Sequence, residues 1–450
     1  MIMATRNETI GNRLKPQSRS AKRTRKTDRV STKGFTQYIS VDLALETISQ
    51  LTKSDLSVET IKAKDSFGRV VCEDIESPIN VPDKERSHMD GYAVSAADLT
   101  GASISSPKTL SLVKSVDPSV RLSRGETIGI GTGGALPTGA DAVVRVEDAE
   151  KIDDSVRFSK PVDKGEFCFP IGVDVRKGAI VIRSANVVRA QDVGMLALLG
   201  IRELRAYSKP KAAIIATGDE LVDAFDANEP SKVRESHSPV FENLIVEMGG
   251  VVSLREIVGD NIDRITEAIK RALRDSDLLL TLGGTSLGKA DLVEQALSKV
   301  SKNSRIIHGV RMDRGRVAGI AAVIGKPVVM LPGPVQGAMN AFLLLALPLL
   351  SRMTGRGESK SYISARLAKD WKTRNKFRDF TKVLYVRLER EGDEYAASPI
   401  VGETESISVL TDSNGFVVIP EQITELHQGK TVLVRLLPGF SYASGQFLAP

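Results

Sequence analysis

Three glycine-bearing turns stand directly behind apolar runs and offer places where backbone could approach an anion. They are Thr217-Gly218-Asp219-Glu220 after the run 212–216, Gly283-Gly284-Thr285-Ser286-Leu287-Gly288-Lys289-Ala290-Asp291 after 278–282, and Leu331-Pro332-Gly333-Pro334 after 328–330. Gly283 and Gly284 lack the Cβ that would hold a phosphate away, Thr285 and Ser286 carry hydroxyls, and Lys289 carries a positive charge. The spacing is neither GxGxxG nor GxxxxGK[ST], so it selects neither a dinucleotide nor a P-loop. Taken alone, the loops read either as anion cradles or as plain turns. Asp219, Glu220 and Asp291 fall at the same places. They read either as helix caps or as oxygen ligands for Mg²⁺ beside a phosphate. Further upstream, Ser87-His88-Met89-Asp90-Gly91-Tyr92 puts a polar turn before an apolar strand, with Asp90-Gly91 as a hairpin turn and His88 as a surface histidine.

These turns need a frame that brings strand ends to one edge. Unalternating apolar runs at 212–216, 278–282 and 328–331 are what strands buried on both faces of a parallel sheet require. Helical periodicity over 241–248, 262–273, 292–300 and 336–350 separates them, with a further strand at 251–254. The alternation predicts a doubly wound α/β domain over 205–354, in which ligands bind outside the carboxyl ends of the strands. A leading helix over 41–51 is expected to pack with the segment 165–204, making a linking α/β module of 35–71 plus 165–204. Short alternating runs broken by Gly, Pro and Ser predict an inserted β-rich domain at 72–164 and a C-terminal β domain at 360–450.

The chain has 450 residues, 41% of them hydrophobic and 26% charged, which is ordinary for a multidomain globular protein. Its net charge of +6 sits at the front: residues 1–34 carry ten Lys or Arg against Glu8 and Asp28, so the remaining residues are nearly neutral. That distribution excludes a nucleic-acid-binding body and marks 1–34 as a disordered basic tail. The tail has no apolar secretory core, and it is compatible with an arginine-rich presequence or with a dispensable extension, Met3 offering a second start site. The apolar run 341–350 falls short of the ~20 residues a bilayer span needs. Cys72 and Cys168 are far apart without a CxxC pattern, which excludes a cysteine zinc site and fits a reducing, cytoplasmic setting.

Five motifs then combine. Ser87–Ala93, Thr132-Gly133-Gly134-Ala135-Leu136-Pro137-Thr138-Gly139-Ala140-Asp141-Ala142-Val143-Val144, Thr217–Leu221, Gly283–Asp291 and Leu331–Gly333 occur in an order and spacing that resembles the molybdopterin molybdenumtransferases, over about Phe35 to the C-terminus. The resemblance implies a four-domain homodimer, acting with other cofactor-biosynthesis proteins, in which adenylylated molybdopterin and molybdate (or tungstate) react with Mg²⁺ to give molybdenum cofactor and AMP. It assigns catalytic roles to Asp90, Asp174, Asp219, Glu220, Glu235 and Asp291, with Asp219, Glu220 and Asp291 as metal ligands. Substrate binding falls to Thr217, Gly218, Gly283, Gly284, Thr285, Ser286, Gly288, Arg316, Pro332 and Gly333.

Several positions depart from that pattern. The family's Lys-Pro-Gly-Lys-Pro, whose cations face the oxyanion, is here Asp313-Arg314-Gly315-Arg316-Val317, with Arg316, Arg314 or Arg311 left to supply the charge. Its Asp-Thr-Asn is Glu235-Ser236-His237, the residues flanking the acid near Asp174 are Phe169 and Val173, and Leu-Pro-Gly-Asn-Pro-Val-Ser is Leu331-Pro332-Gly333-Pro334-Val335-Gln336-Gly337. These changes leave an alternative: a catalytically altered protein of the same fold that binds molybdopterin or serves as a scaffold.

Overall fold

The computed structural model describes residues 38–52, 56–114, 120–225, 231–284, 291–356 and 362–438. The basic tail and six residues of the second turn, 285–290, among them Thr285, Ser286, Gly288 and Lys289, lie outside the described residues.

The leading helix α1 (Val41–Leu51) starts at Ser40, whose hydroxyl accepts from Leu43 N at 3.3 Å, and helical spacing turns Val41, Ala44 and Ile48 to one side. That stripe is buried with Ile320, Phe342 and Leu345, in the core of the central α/β domain. Packing of this helix with segment 165–204 is therefore corrected. The chain just before it is stitched to the α/β domain by Ile39, which donates to Gly309 O at 3.2 Å and accepts from Arg311 N at 2.7 Å. The linking module closes without the helix. Val58–Lys62 pairs with Glu203–Tyr207, Ile75–Glu76 pairs with Ile180–Ile182, and helix α2 (Ala190–Leu198) buries Leu196 among Val71, Ile182 and Leu204. Between those pairings the chain forms a six-stranded sheet holding Gly91–Val94 at its second position, beside Ala142–Arg145 and Glu126–Ile130.

The central sheet contains β1 (Lys211–Thr217), β2 (Val251–Val258), β3 (Leu278–Leu282), β4 (Arg305–His308), β5 (Gly319–Val323) and β6 (Lys326–Leu331), in spatial order β2-β1-β3-β6-β5-β4. β2, β1, β3 and β6 run parallel, and β5 is antiparallel to both β6 and β4. Alternate residues of β1 enter two cores. Ala212, Ile214 and Ala216 join helices α1 and α3 (His237–Glu247), whereas Ala213 and Ile215 join α4 (Ile262–Asp275) and α5 (Leu292–Val300). A strand covered on both faces has no polar side to show, which is why its sequence does not alternate. Each buried Ile or Leu there contributes about 1.5–3 kcal/mol.

After β6 comes α6 (Val335–Met353), 19 residues that pass by length and composition for a membrane span yet are 89% buried inside the fold, as a core helix. Its helical turn widens to the π type over Phe342–Ala346, just ahead of Pro348, whose missing N–H would break a regular turn. The C-terminal strands Ile363–Leu367, Lys382–Glu391, Glu394–Pro399, Gly415–Ile419 and Thr431–Leu436 close into a barrel. Because β1, β3 and β6 are parallel neighbours, their following turns open side by side on one edge, against the connection from β4 to β5.

Candidate functional site

The three turns touch one another. Gly283 donates its N–H to Leu331 O at 3.1 Å, and Gly218 donates to Val258 O at 3.1 Å. Both amides are thus spent within the sheet, and these glycines serve by bringing the backbone close instead of by donating to an anion. A Cβ on Gly283 would lie 2.9 Å from Thr217 O, and one on Gly284 would lie 2.7 Å from both Thr217 Oγ1 and Val293 Cγ2. Their φ values, +78° and +65°, are left-handed as well. Gly333 looks onto open space, with nothing within 4 Å of its Cβ position, and helix α6 begins two residues later without a side-chain cap. The helix start itself is buried, and Gln336 N donates to Thr404 O at 3.1 Å.

Acids gather beside Gly218. Asp219 accepts from Asp260 N at 3.0 Å through Oδ1, and Lys232 Nζ donates to Asp219 O at 2.7 Å. Burial pushes the Asp260 carboxyl up, and the neighbouring Asp219 and Glu220 charges push it further. Sequence reading missed Asp260 because it stopped β2 at residue 254: the strand continues through Arg255 and Glu256 along the sheet edge, where charged side chains reach solvent. The available signal was Gly259-Asp260-Asn261, with Asn261 capping α4 by accepting from Asp263 N and Arg264 N at 3.0 and 3.1 Å.

Two other acids carry helix ends. The buried Glu235 carboxylate accepts from His237 N at 2.8 Å and from Ser238 N at 3.0 Å, so it caps α3. Asp291 caps α5 by accepting from Glu294 N at 3.0 Å through Oδ1. Its other oxygen lies 3.1 Å from His308 Nδ1, which is also 2.8 Å from Glu294 Oε2. Burial pushes the Asp291 carboxyl up. Among the described residues, the group of three with ligand-type atoms within 4.8 Å of one another is Asp291, Glu294 and His308, and Asp219 and Glu220 do not join Asp291 in it.

The altered segment 313–317 lies against the β6 turn. A Cβ on Gly337 would meet Arg314 O at 2.5 Å and Pro332 Cβ at 3.3 Å. Arg314 has φ +53°, a conformation closed to the proline that stands there in the family the sequence resembles. This chain therefore takes a path that proline would forbid. The buried Gln336 holds it, bonding the Arg314 guanidinium through Oε1 and donating through Nε2 to the carbonyls of Glu403 and Ser406. One turn later on α6, Asn340 donates to Asp313 O at 3.1 Å and accepts from Tyr385 OH at 2.7 Å. Burial pushes the Asp313 carboxyl up and outweighs the opposing charges of Arg314, Arg374 and Lys382. Arg316 lies over the Phe377 ring, 5.9 Å from its centre, and has no ion pair among the described residues. Of the cations the sequence nominated, Arg314 is committed to Gln336 and Arg311 lies 3.4 Å from Glu421.

Asp90 and Thr132, from separate sequence motifs, form one loop structure. Asp90 Oδ1 accepts from Thr132 N at 2.6 Å and Thr132 Oγ1 at 2.9 Å, which holds its carboxyl below the usual range. Gly91 begins a strand instead of completing a hairpin turn, and it lies so close to its neighbour that Val144 O would be 2.0 Å from a Cβ there. Asp174 is exposed in a loop whose backbone donates to Val81 O at 3.0 Å. The same segments of chain expose Ile79, Met89, Phe169, Ile171 and Val173, and the Phe169 ring lies tilted against His88.

Comparison with known proteins covers nearly the whole chain. Residues 39–200 match the family model described as "MoeA N-terminal region (domain I and II)", residues 213–352 "Probable molybdopterin binding domain", and residues 364–437 "MoeA C-terminal region (domain IV)". A protein of Methanocaldococcus jannaschii named for molybdopterin biosynthesis is 30% identical over 88% of this chain and 96% of its own length. The molybdopterin molybdenumtransferase of Bacillus subtilis is 27% identical over 89% of this chain and 94% of that one. The crystal structure of the molybdopterin biosynthesis MoeA protein from Pyrococcus horikoshii is similar at a TM-score of 0.76 and 30% identity, covering 89% of this chain and 99% of that one.

Proposed function

Because this chain belongs to the MoeA family of molybdopterin molybdenumtransferases, we propose that it inserts molybdate, or tungstate, into adenylylated molybdopterin and releases AMP. The observation that carries this reading is the joined edge at Gly218, Gly283–Gly284 and Leu331–Gly333, where the backbone at Gly283 and Gly284 leaves no room for a side chain and Gly333 opens onto free space. The edge admits phosphate and pterin against bare backbone. Arg316 supplies the oxyanion cation, its planar fork suited to a tetrahedral anion. Asp313 stands among the cations Arg314, Arg374 and Lys382, whose charges oppose its own.

Mg²⁺ would draw oxygen ligands from Asp219, Glu220 and Asp260 together with the bound phosphate, since these three carboxylates neighbour one another without converging within 4.8 Å; burial first, and then the Asp219 and Glu220 charges, push the Asp260 carboxyl up. The ion would neutralise phosphate charge there. Glu235 and Asp291 act by holding the starts of α3 and α5. The protein provides position and electrostatics, and the reaction needs no covalent nucleophile. Asp90 and Asp174 bond only within the N-terminal half, amid exposed apolar residues, which supports a homodimer in which they serve across the subunit boundary.

The test is AMP release from adenylylated molybdopterin. Release that requires both molybdate and Mg²⁺ is expected. Tight binding of the pterin nucleotide without release would overturn the enzymatic reading and leave a molybdopterin-binding scaffold, the reading favoured by the capture of Arg314 by Gln336.

A further inference from the structure

His308 closes β4 on the same sheet edge, and its two ring nitrogens face opposite kinds of partner. Nε2 lies 3.0 Å from Val317 O. A carbonyl oxygen only accepts, so Nε2 carries the hydrogen. Nδ1 then points at two carboxylate oxygens, Glu294 Oε2 at 2.8 Å and Asp291 Oδ2 at 3.1 Å. Asp291 is the telling member. Its side chain is only 10% exposed, and Oδ2 is buried without a hydrogen-bond partner although Oδ1 is used in capping α5. An unpaired buried carboxylate oxygen is costly, and here it is aimed at the point where Nδ1 and Glu294 Oε2 converge.

We propose that Asp291, Glu294 and His308 form a binding site for a divalent transition-metal cation of the zinc class. One imidazole nitrogen and two carboxylate oxygens, with ligand atoms within 4.8 Å of one another, match the borderline N/O donors such ions prefer. The hydrogen bond from the far ring nitrogen to a backbone carbonyl is the usual support for a metal-binding histidine, because it fixes the tautomer and the ring plane. Glu294, 45% exposed at its side chain, leaves the remaining coordination positions to water. The ion would tie the start of α5 to Val317, and so fix the far end of the segment carrying Arg316. The site is separate from the Asp219, Glu220 and Asp260 group to which the proposed function assigns Mg²⁺.

The experiment is a Zn²⁺ titration of the chelator-stripped full chain against a chromophoric chelator, repeated on variants. One equivalent per chain is expected, weakened at least tenfold in Glu294→Gln, lost in His308→Gln and unchanged in Asp219→Asn. Glu294 is half-exposed, so its variant keeps the test alive if His308→Gln does not fold. Co²⁺ bound to the wild-type chain is expected to give d–d bands that His308→Gln lacks. Absence of Zn²⁺ binding, or binding unaffected by both His308→Gln and Glu294→Gln, would overturn the proposal. Affinity is read without substrate, so failure here is distinct from failure of AMP release.

Discussion

Replacing Asn340 with leucine isolates the link between the altered segment and the C-terminal barrel. The substitution keeps bulk on α6 but removes the acceptor for Tyr385 OH and the donor to Asp313 O. Tyr385 is 3% exposed, so its hydroxyl has no water to turn to. An orphaned buried hydroxyl costs about 1–3 kcal/mol and a lost ordinary hydrogen bond about 0.5–1.5 kcal/mol, giving about 2–4 kcal/mol for Asn340→Leu. Tyr385→Phe strands only the Asn340 oxygen and should cost about 1–3 kcal/mol. With both replaced, each partner is apolar and the penalty between them vanishes, so the double variant should lie about 1–2 kcal/mol above the sum of the singles. Trp371 is the one tryptophan of the chain and, partly buried, packs against the barrel core, so its fluorescence in a urea titration follows the domain that supplies Tyr385. Additive losses would refute the direct bond as the source of the effect. The functional counterpart is a higher oxyanion KM for Asn340→Leu with pterin-nucleotide affinity unchanged, since Asn340 touches segment 313–317 and none of the glycine turns. An unchanged oxyanion KM would refute its role in presenting Arg316.

Gly284→Ala should cost at least about 1–2 kcal/mol from the left-handed backbone alone, with more from the contacts to Thr217 and Val293, and should abolish pterin-nucleotide binding measured by calorimetry. Arg316→Ala should raise the oxyanion KM by about 10–100-fold, the value of a charge-assisted bond, while Arg316→Lys recovers part of it in the AMP-release assay. The Asp260 carboxyl is raised in the folded state, so its contribution to stability is present below the unfolded pKa and lost as pH rises through the folded one. Asp260→Asn is thus expected to melt higher than wild type at pH 7, to match it near pH 3, and to respond less to added Mg²⁺ in thermal scans. Thr132→Val removes one donor to Asp90, and its carboxyl should titrate closer to the ordinary carboxylate range by carbon NMR.

Much of the frame was readable because it depends on local pattern. Unbroken apolar runs marked β1, β3 and β6, helical spacing marked α4 and α5, and parallel neighbours must open their turns on one edge whatever the residues in those turns are. The glycines of Gly283-Gly284 were likewise predictable, because left-handed backbone and close approach both exclude a side chain. The edge strand β2 was cut short, since Arg255 and Glu256 look like loop residues until one knows that this strand borders solvent. α1 was assigned to the wrong neighbour because an apolar stripe states that a partner exists without saying which.

Side-chain commitments were decided only by tertiary structure. Glu235, Asp291 and Asp219 look alike in a sequence, as acids near helix starts. In the fold the first is used up on the amides of α3, the second joins His308 and Glu294, and the third meets an acid forty-one positions away in Asp260. The substitution at Asp313 looked like the loss of an oxyanion site, yet the barrel places Arg374 and Lys382 near that acid and leaves Arg316 without an ion pair among the described residues. Sequence alone determined the edge on which chemistry could occur, because backbone sterics and hydrophobic periodicity act over a few residues. Which charges remain free on that edge depends on partners brought from other domains, and electrostatic pairing acts through space without regard to position along the chain.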